Sequence, residues 1–121
     1  MLNLFKSRAT AGPQLSISDA IEQVAAGTMT LIDVRDGSEL ANSGKAEGAL
    51  HLPLMSLQMK ADPRSPEVVP ELDVDKPIGI YCASGARSGM AAQAMTQMGY
   101  KTVHNLGGLA HWVNAGGKVS R

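Results

Sequence analysis

The chain holds 121 residues, with 11 Lys+Arg against 11 Asp+Glu, one Cys and four aromatic residues. Its length suits one domain with a single closed core, and an apolar content of 44% is too high for a disordered chain. Zero net charge and scarce aromatics argue against a nucleic-acid or anionic-membrane partner, since neither a bulk field nor stacking platforms are present.

Residues 1–13 read as an N-terminal tail. Met1 to Arg8 lacks the apolar run of a signal peptide, and no stretch approaches the ~20 apolar residues of a membrane-crossing helix. The first 18 residues contain no acid, but Lys6 and Arg8 alone are thin evidence for a transit peptide. Cytoplasm is the default expectation. Ser18-Asp19 before Ala20–Gly27 predicts a capped helix closed by glycine. Thr30–Val34 is a short β-branched run too brief for a helix. A small helix is expected around Ser38–Asn42, a strand at Ala49–Leu52 and a helical turn or two from Leu54 to Lys60. Residues 61–77 hold Pro63, Pro66, Pro70 and Pro77 and predict a long loop.

Ile78–Tyr81 is near-continuously apolar, as a parallel strand buried on both faces requires. Ser88–Met98 reads as a helix with Met90, Ala91, Ala94, Met95 and Met98 on one stripe, best explained as core in a chain poor in aromatics. Gly99 ends it, Lys101–Asn105 predicts a strand, and Gly107-Gly108 turn into a last helix carrying Trp112. Alternating strands and helices predict a parallel sheet covered on both faces. Ligands of such sheets gather beyond the C-terminal strand ends, where Asp33 and Cys82 both fall.

The single cysteine excludes an intrachain disulfide, a paired-cysteine redox motif and a cysteine-rich zinc site. It is either a buried small hydrophobe or a nucleophile. Cys82-Ala83-Ser84-Gly85-Ala86-Arg87-Ser88 follows a buried strand and enters a helix. A chain curling around the sulfur would aim successive N–H groups inward as an anion nest, with Gly85 permitting the backbone path. The helix dipole and Arg87 are expected to lower the thiol pKa and populate the thiolate. That context favours the nucleophile. His51, His104 and His111 match no standard metal spacing and read as structural histidines, so no metal and no cofactor is expected.

Four ordered stretches together are similar to the single-domain rhodanese family. They are Leu31-Ile32-Asp33-Val34-Arg35 with Glu39; Gly44 through Gly48-Ala49 with Leu52-Pro53; Tyr81 through Ser88; and Asn105-Leu106-Gly107-Gly108 with Trp112 and Gly116. The resemblance spans residues 14–118, taken as one rhodanese-like domain. It implies an α/β fold with a central, mainly parallel sheet of about five short strands, flanked by helices on both faces. It also implies sulfur transfer: Cys82 takes a sulfane sulfur from a donor such as thiosulfate and passes the persulfide sulfur to cyanide, a small thiol or a protein thiol. Amides of Ala83, Ser84, Gly85, Ala86, Arg87 and Ser88 would cradle the charge. Asp33 and Arg35 would hold the loop through hydrogen bonds from behind, a surface ion pair being the alternative for Arg35.

Only four residues separate Cys82 from Arg87, a ring resembling sulfurtransferases rather than the related phosphatases, which carry one more. A phosphatase or arsenate reductase is therefore the weaker alternative, and a carrier loaded by a sulfur-relay protein the stronger one. Ala83 stands where many relatives place Arg, so a weaker attraction for dianionic thiosulfate is expected unless Lys45, Lys60 or Arg64 reaches the pocket. With no second Cys to resolve the persulfide, the acceptor comes from outside.

Overall fold

A computed structural model describes residues 15–121; the expected tail at 1–13 lies outside them. Helix α1 runs Ile17–Ala26, strand β1 Thr30–Asp33, α2 Gly37–Ser43, β2 Lys45–Ala46 and β3 Leu50–His51. A 3-10 turn at Leu54–Ser56 leads into α3, Leu57–Ala61; then follow β4 Ile78–Cys82, α4 Ala86–Gln97, β5 Val103–Gly108, α5 Leu109–Asn114 and β6 Val119–Ser120.

The α/β class is as expected. Four strands pair in the order β3-β1-β4-β5, all parallel, and β2 pairs with β6 antiparallel in a separate ribbon. The central sheet thus holds one strand fewer than the expected five. Every residue of β1 and β4 is buried, because helices cover both faces. Alternation along these strands divides the interior in two. Ile32, Ile78, Ile80 and Cys82 pack with Leu57, Ala91, Met95 and Tyr100 on one side. Leu31 and Tyr81 pack with Ala20, Met29, Leu106 and Trp112 on the other.

Several boundaries differ from the sequence reading, each for a local reason. The cap of α1 is Ser16, whose Oγ accepts the Asp19 N–H at 3.0 Å, two residues before the expected Ser18. Gly27 closes the helix in the left-handed conformation at φ 78°, as read. Strand β5 runs on through Gly107-Gly108, and Gly108 pairs with Cys82. Those glycines belong to the sheet as well as to the turn into α5. Met90 is 61% exposed and leaves the core stripe that Ala91 and Met95, both fully buried, do form.

The proline-rich segment folds back onto the domain. The Val69 N–H reaches the Lys60 carbonyl at 2.9 Å, and Val69, Leu72 and Val74 pack against the first core. Trp112 is buried and donates its indole N–H to the Lys118 carbonyl at 3.1 Å. Among the described residues no helix is long and apolar enough to cross a membrane.

Candidate active site

Beyond the C-terminal end of β4 the chain turns sharply around the Cys82 sulfur. Gly85 makes the turn at φ 104°, a left-handed conformation that costs an L residue roughly 1–2 kcal/mol and glycine almost nothing. The Gly85 N–H donates to Sγ at 3.0 Å, and the Ser88 hydroxyl lies 3.4 Å from it. Burial raises the thiol pKa, but hydrogen bonds from the Ser88 side chain and from the amides of Ser88, Gly85 and Ser84 outweigh it and bring the thiol down to about 7. Cys82 is fully buried, whereas Ala83 and Ser84 are exposed.

Asn105 on β5 pins this loop, and the sequence reading did not single out its side chain. Its Oδ1 accepts the Ser88 hydroxyl at 2.7 Å and the Gly107 N–H at 3.0 Å, while its Nδ2 donates to the Gly85 carbonyl at 3.0 Å. Ser88 has one hydroxyl hydrogen, so it donates either to Asn105 or to the sulfur. As a thiol, Cys82 donates and Ser88 keeps its bond to Asn105; as a thiolate, the sulfur needs the Ser88 hydrogen. Gly108 is packed so tightly that a Cβ there would meet the Ala83 carbonyl oxygen. Its lack of a side chain lets β5 lie against the loop.

Arg87, in the first turn of α4, is held by an acid from α2. Its Nη1 and Nη2 donate to the two carboxylate oxygens of Glu39, at 2.7 and 2.8 Å. This bidentate pair holds the Glu39 carboxyl down at about 2, with help from the Asp36 N–H that also donates to it. The largest contributions that lower the thiol come from Ser88 and the loop amides, while Arg87 stays close enough for its charge and that of Cys82 to act on each other. The Asp36–Glu39 spacing is a local capping signal, so α2 could be located from sequence. Its partner Arg87, 48 positions away, could not.

Asp33 and Arg35 are buried, at 0% and 3% exposure, which removes the surface-pair alternative. Their hydrogen bonds go elsewhere than expected. Arg35 Nε donates to both Asp33 oxygens and Nη2 to Oδ2 at 2.8 Å, while Nη1 reaches Ser43 Oγ at 2.8 Å and Nη2 also reaches the Gly44 carbonyl. Tyr81 donates its hydroxyl to Asp33 at 2.6 Å and accepts the Ala46 N–H at 2.8 Å. The network braces the strand ends beside Cys82 against the α2–β2 segment rather than binding the cysteine loop. A buried carboxylate so placed is why Tyr81 has its pKa raised, after desolvation itself.

None of the three alternative cations is free. Lys45 donates to the Ala49 carbonyl, Lys60 pairs with Glu67 at 3.9 Å and Arg64 pairs with Asp62 at 3.1 Å. The histidines are occupied in the fold: His51 Nε2 lies 2.6 Å from the Arg35 carbonyl, and His111 Nδ1 accepts the Gly108 N–H at 2.9 Å. His104 has its pKa lowered by burial. The described residues gather no group of three metal-ligating side chains.

An open cleft of about 440 Å³ lies beside the loop, lined by Ala83, Arg35 and Ser43 and, from α5, by Leu109, Ala110, Val113 and Asn114. Gly108 faces Cys82 across the ladder, so α5 begins one residue past the position opposite Cys82.

The rhodanese-like domain family profile matches residues 16–115. The chain is 37% identical over 90 residues to an uncharacterised protein of Bacillus subtilis, covering 74% of this chain and 62% of that protein's length. It is 33% identical over 100 residues to a thiosulfate sulfurtransferase of Coxiella burnetii, covering 82% of this chain and 85% of that one. A solved structure from Rhodopseudomonas palustris, described as of unknown function and a possible tyrosine phosphatase, superposes with a TM-score of 0.76 at 34% identity, over 88% of this chain and 83% of that one. The chain belongs to the rhodanese-like domain family. Sulfur transfer is the activity class that this membership supports.

Proposed function

We propose that this chain is a sulfurtransferase that carries a sulfane sulfur on Cys82 as a persulfide, with residues 14–118 as the working unit. The observation that carries this is a sulfur held by an inward amide and a hydroxyl, with its pKa brought down to about 7. A substantial share is then thiolate at neutral pH, ready to attack the outer sulfur of a donor, of which thiosulfate is the simplest. The donor's S–S bond breaks and its electron pair leaves with sulfite. The resulting persulfide anion is stabilised by the same loop, Ala83 to Ser88, acting as a preorganised cradle of donors. A nucleophilic acceptor, either cyanide or the thiol of a small molecule or partner protein, takes the outer sulfur and restores the thiolate. The chain holds no second cysteine that could intercept the persulfide.

Phosphate-ester hydrolysis fits the site less well. Such chemistry needs a guanidinium free to clamp phosphate oxygens, and both terminal nitrogens of Arg87 are engaged by Glu39.

Intact mass measured after incubation with excess thiosulfate tests the reading. The wild-type chain should gain one sulfur atom, cyanide should discharge it, and Cys82→Ser should gain none. A Cys82→Ser variant that still accepts and transfers sulfur would overturn the proposal.

A further inference from the structure

A second cavity, of about 340 Å³, lies on the face of the sheet opposite the Cys82 side chain, between α1, the β2–β3 turn and the end of α5. It shares no residue with the cysteine loop or with the cleft at Ala83. Its volume lies at the lower end of the range for small-ligand cavities, roughly 300–1,000 Å³. Ile21, Val24 and Ala25 of α1 supply an apolar wall, and Trp112 the floor. Trp112 is 3% exposed and its indole N–H is fixed on the Lys118 carbonyl at 3.1 Å, so the ring is held in place. Gly48, at φ 89°, lacks the Cβ that would stand 3.3 Å from Val24 and narrow the entrance.

The rim carries two opposite charges in a fixed relation. Lys45 pairs with Ser120 and Ala46 with Val119 in the β2–β6 ribbon. The Glu47 N–H donates to the Lys118 carbonyl at 2.9 Å, which makes Glu47 and Lys118 the next cross-strand neighbours. Side chains so placed stand on one face, with Cβ atoms about 4.5–5.5 Å apart. Both line the cavity and both are exposed. Among the described residues they form no ion pair with each other or with any other side chain. A carboxylate without a cation thus stands beside an ammonium without an anion, above an apolar floor.

The geometry points to a binding site for a zwitterionic α-amino acid with an apolar side chain. The ligand's ammonium lies on Glu47, its carboxylate on Lys118, and its side chain enters between Val24 and Trp112. The two head charges of such a ligand, one carbon apart, bridge two side chains that do not reach each other. It brings no net charge and leaves neither rim group unmatched. A simple anion would sit beside the Glu47 carboxylate, and a simple cation beside the Lys118 ammonium, each against a like charge. The wall sorts ligands by side chain, because only an apolar one covers Ile21, Val24 and the indole from water.

The site is tested with L-leucine on the whole chain, by calorimetry for affinity and by NMR shifts for place. Trp112 is the only tryptophan, so its indole N–H gives a single resonance at the cavity floor. L-Leucine should bind saturably and shift that resonance together with the amides of Glu47 and Gly48. Glycine, which lacks the side chain, should bind roughly tenfold more weakly. N-acetyl-L-leucine and L-leucinamide each lack one head charge and should lose a factor of about ten as well. Glu47→Gln and Lys118→Met should each weaken L-leucine by about tenfold. An unchanged rate of Cys82 alkylation in both variants shows that the fold is kept. No saturable binding of L-leucine up to about 10 mM, glycine bound as tightly, an affinity indifferent to both substitutions, or shifts gathered at Ala83–Ser88 instead overturns the site. The persulfide proposal stands or falls separately, on the mass measurement.

Discussion

At the residue scale the site turns on one hydroxyl hydrogen. Ser88 gives it to Asn105 when Cys82 is a thiol and is needed by the sulfur once the proton is gone. Alkylation of Cys82 should therefore be slow below pH 7 and rise through a midpoint near 7, because a lowered pKa means that the reactive thiolate persists to lower pH. Ser88→Ala should move that midpoint up by about one unit or more, the worth of a hydrogen bond to a charged group. A midpoint unchanged in Ser88→Ala would assign the lowering to the amides alone. Asn105→Ala removes three bonds that hold the loop and should cost about 1–3 kcal/mol, read as a lower urea midpoint with reduced transfer. The cysteine and its loop were legible because a strand, a tight turn and a helix start are local signals. Asn105 carried a family resemblance but no sign of its task, since its partners Ser88 and Gly85 meet it through sheet pairing.

At the scale of elements, β5 and the cysteine loop share one close approach. Gly108→Ala would drive a methyl group into the Ala83 carbonyl, where backbone rather than a flexible side chain must yield. The expected result is a loss of about 1–3 kcal/mol in denaturant stability, together with transfer activity lost out of proportion, because the atom displaced adjoins Cys82. Stability and kcat/KM both within twofold of wild type would show that the loop can move aside. The hydrophobic stripe of α4 placed Ala91 and Met95 correctly, since helical periodicity is set by the backbone. It misplaced Met90 because a stripe says which face is apolar, not how far the neighbouring elements extend over it. The end of β5 was misread for a similar reason. Glycines signal a turn locally, whereas the ladder to β4 carries the strand through them.

For the whole molecule, the buried Asp33–Arg35 pair joins the sheet to the α2–β2 segment and the ribbon beyond it. Asp33→Ala leaves a guanidinium 3% exposed without its counter-charge and the Tyr81 hydroxyl without an acceptor. Unfolding in urea should show a loss of about 3–5 kcal/mol, a large share of a small domain's stability. A loss below about 1 kcal/mol would mean that the network is easily rehydrated.

Chain order, composition and local motif were enough for the α/β class, the buried parallel strands, the helices and the cysteine loop at the end of β4, because each depends on neighbours within a turn or on a two- or 3.6-residue period. Folding alone brought Glu39 to Arg87 and Asn105 to Ser88, and turned Arg35 inward to Ser43. Those contacts join groups 48, 17 and 8 positions apart. Their energies depend on distance and burial, which arise from the packing of the sheet and helices and have no periodic trace in the chain.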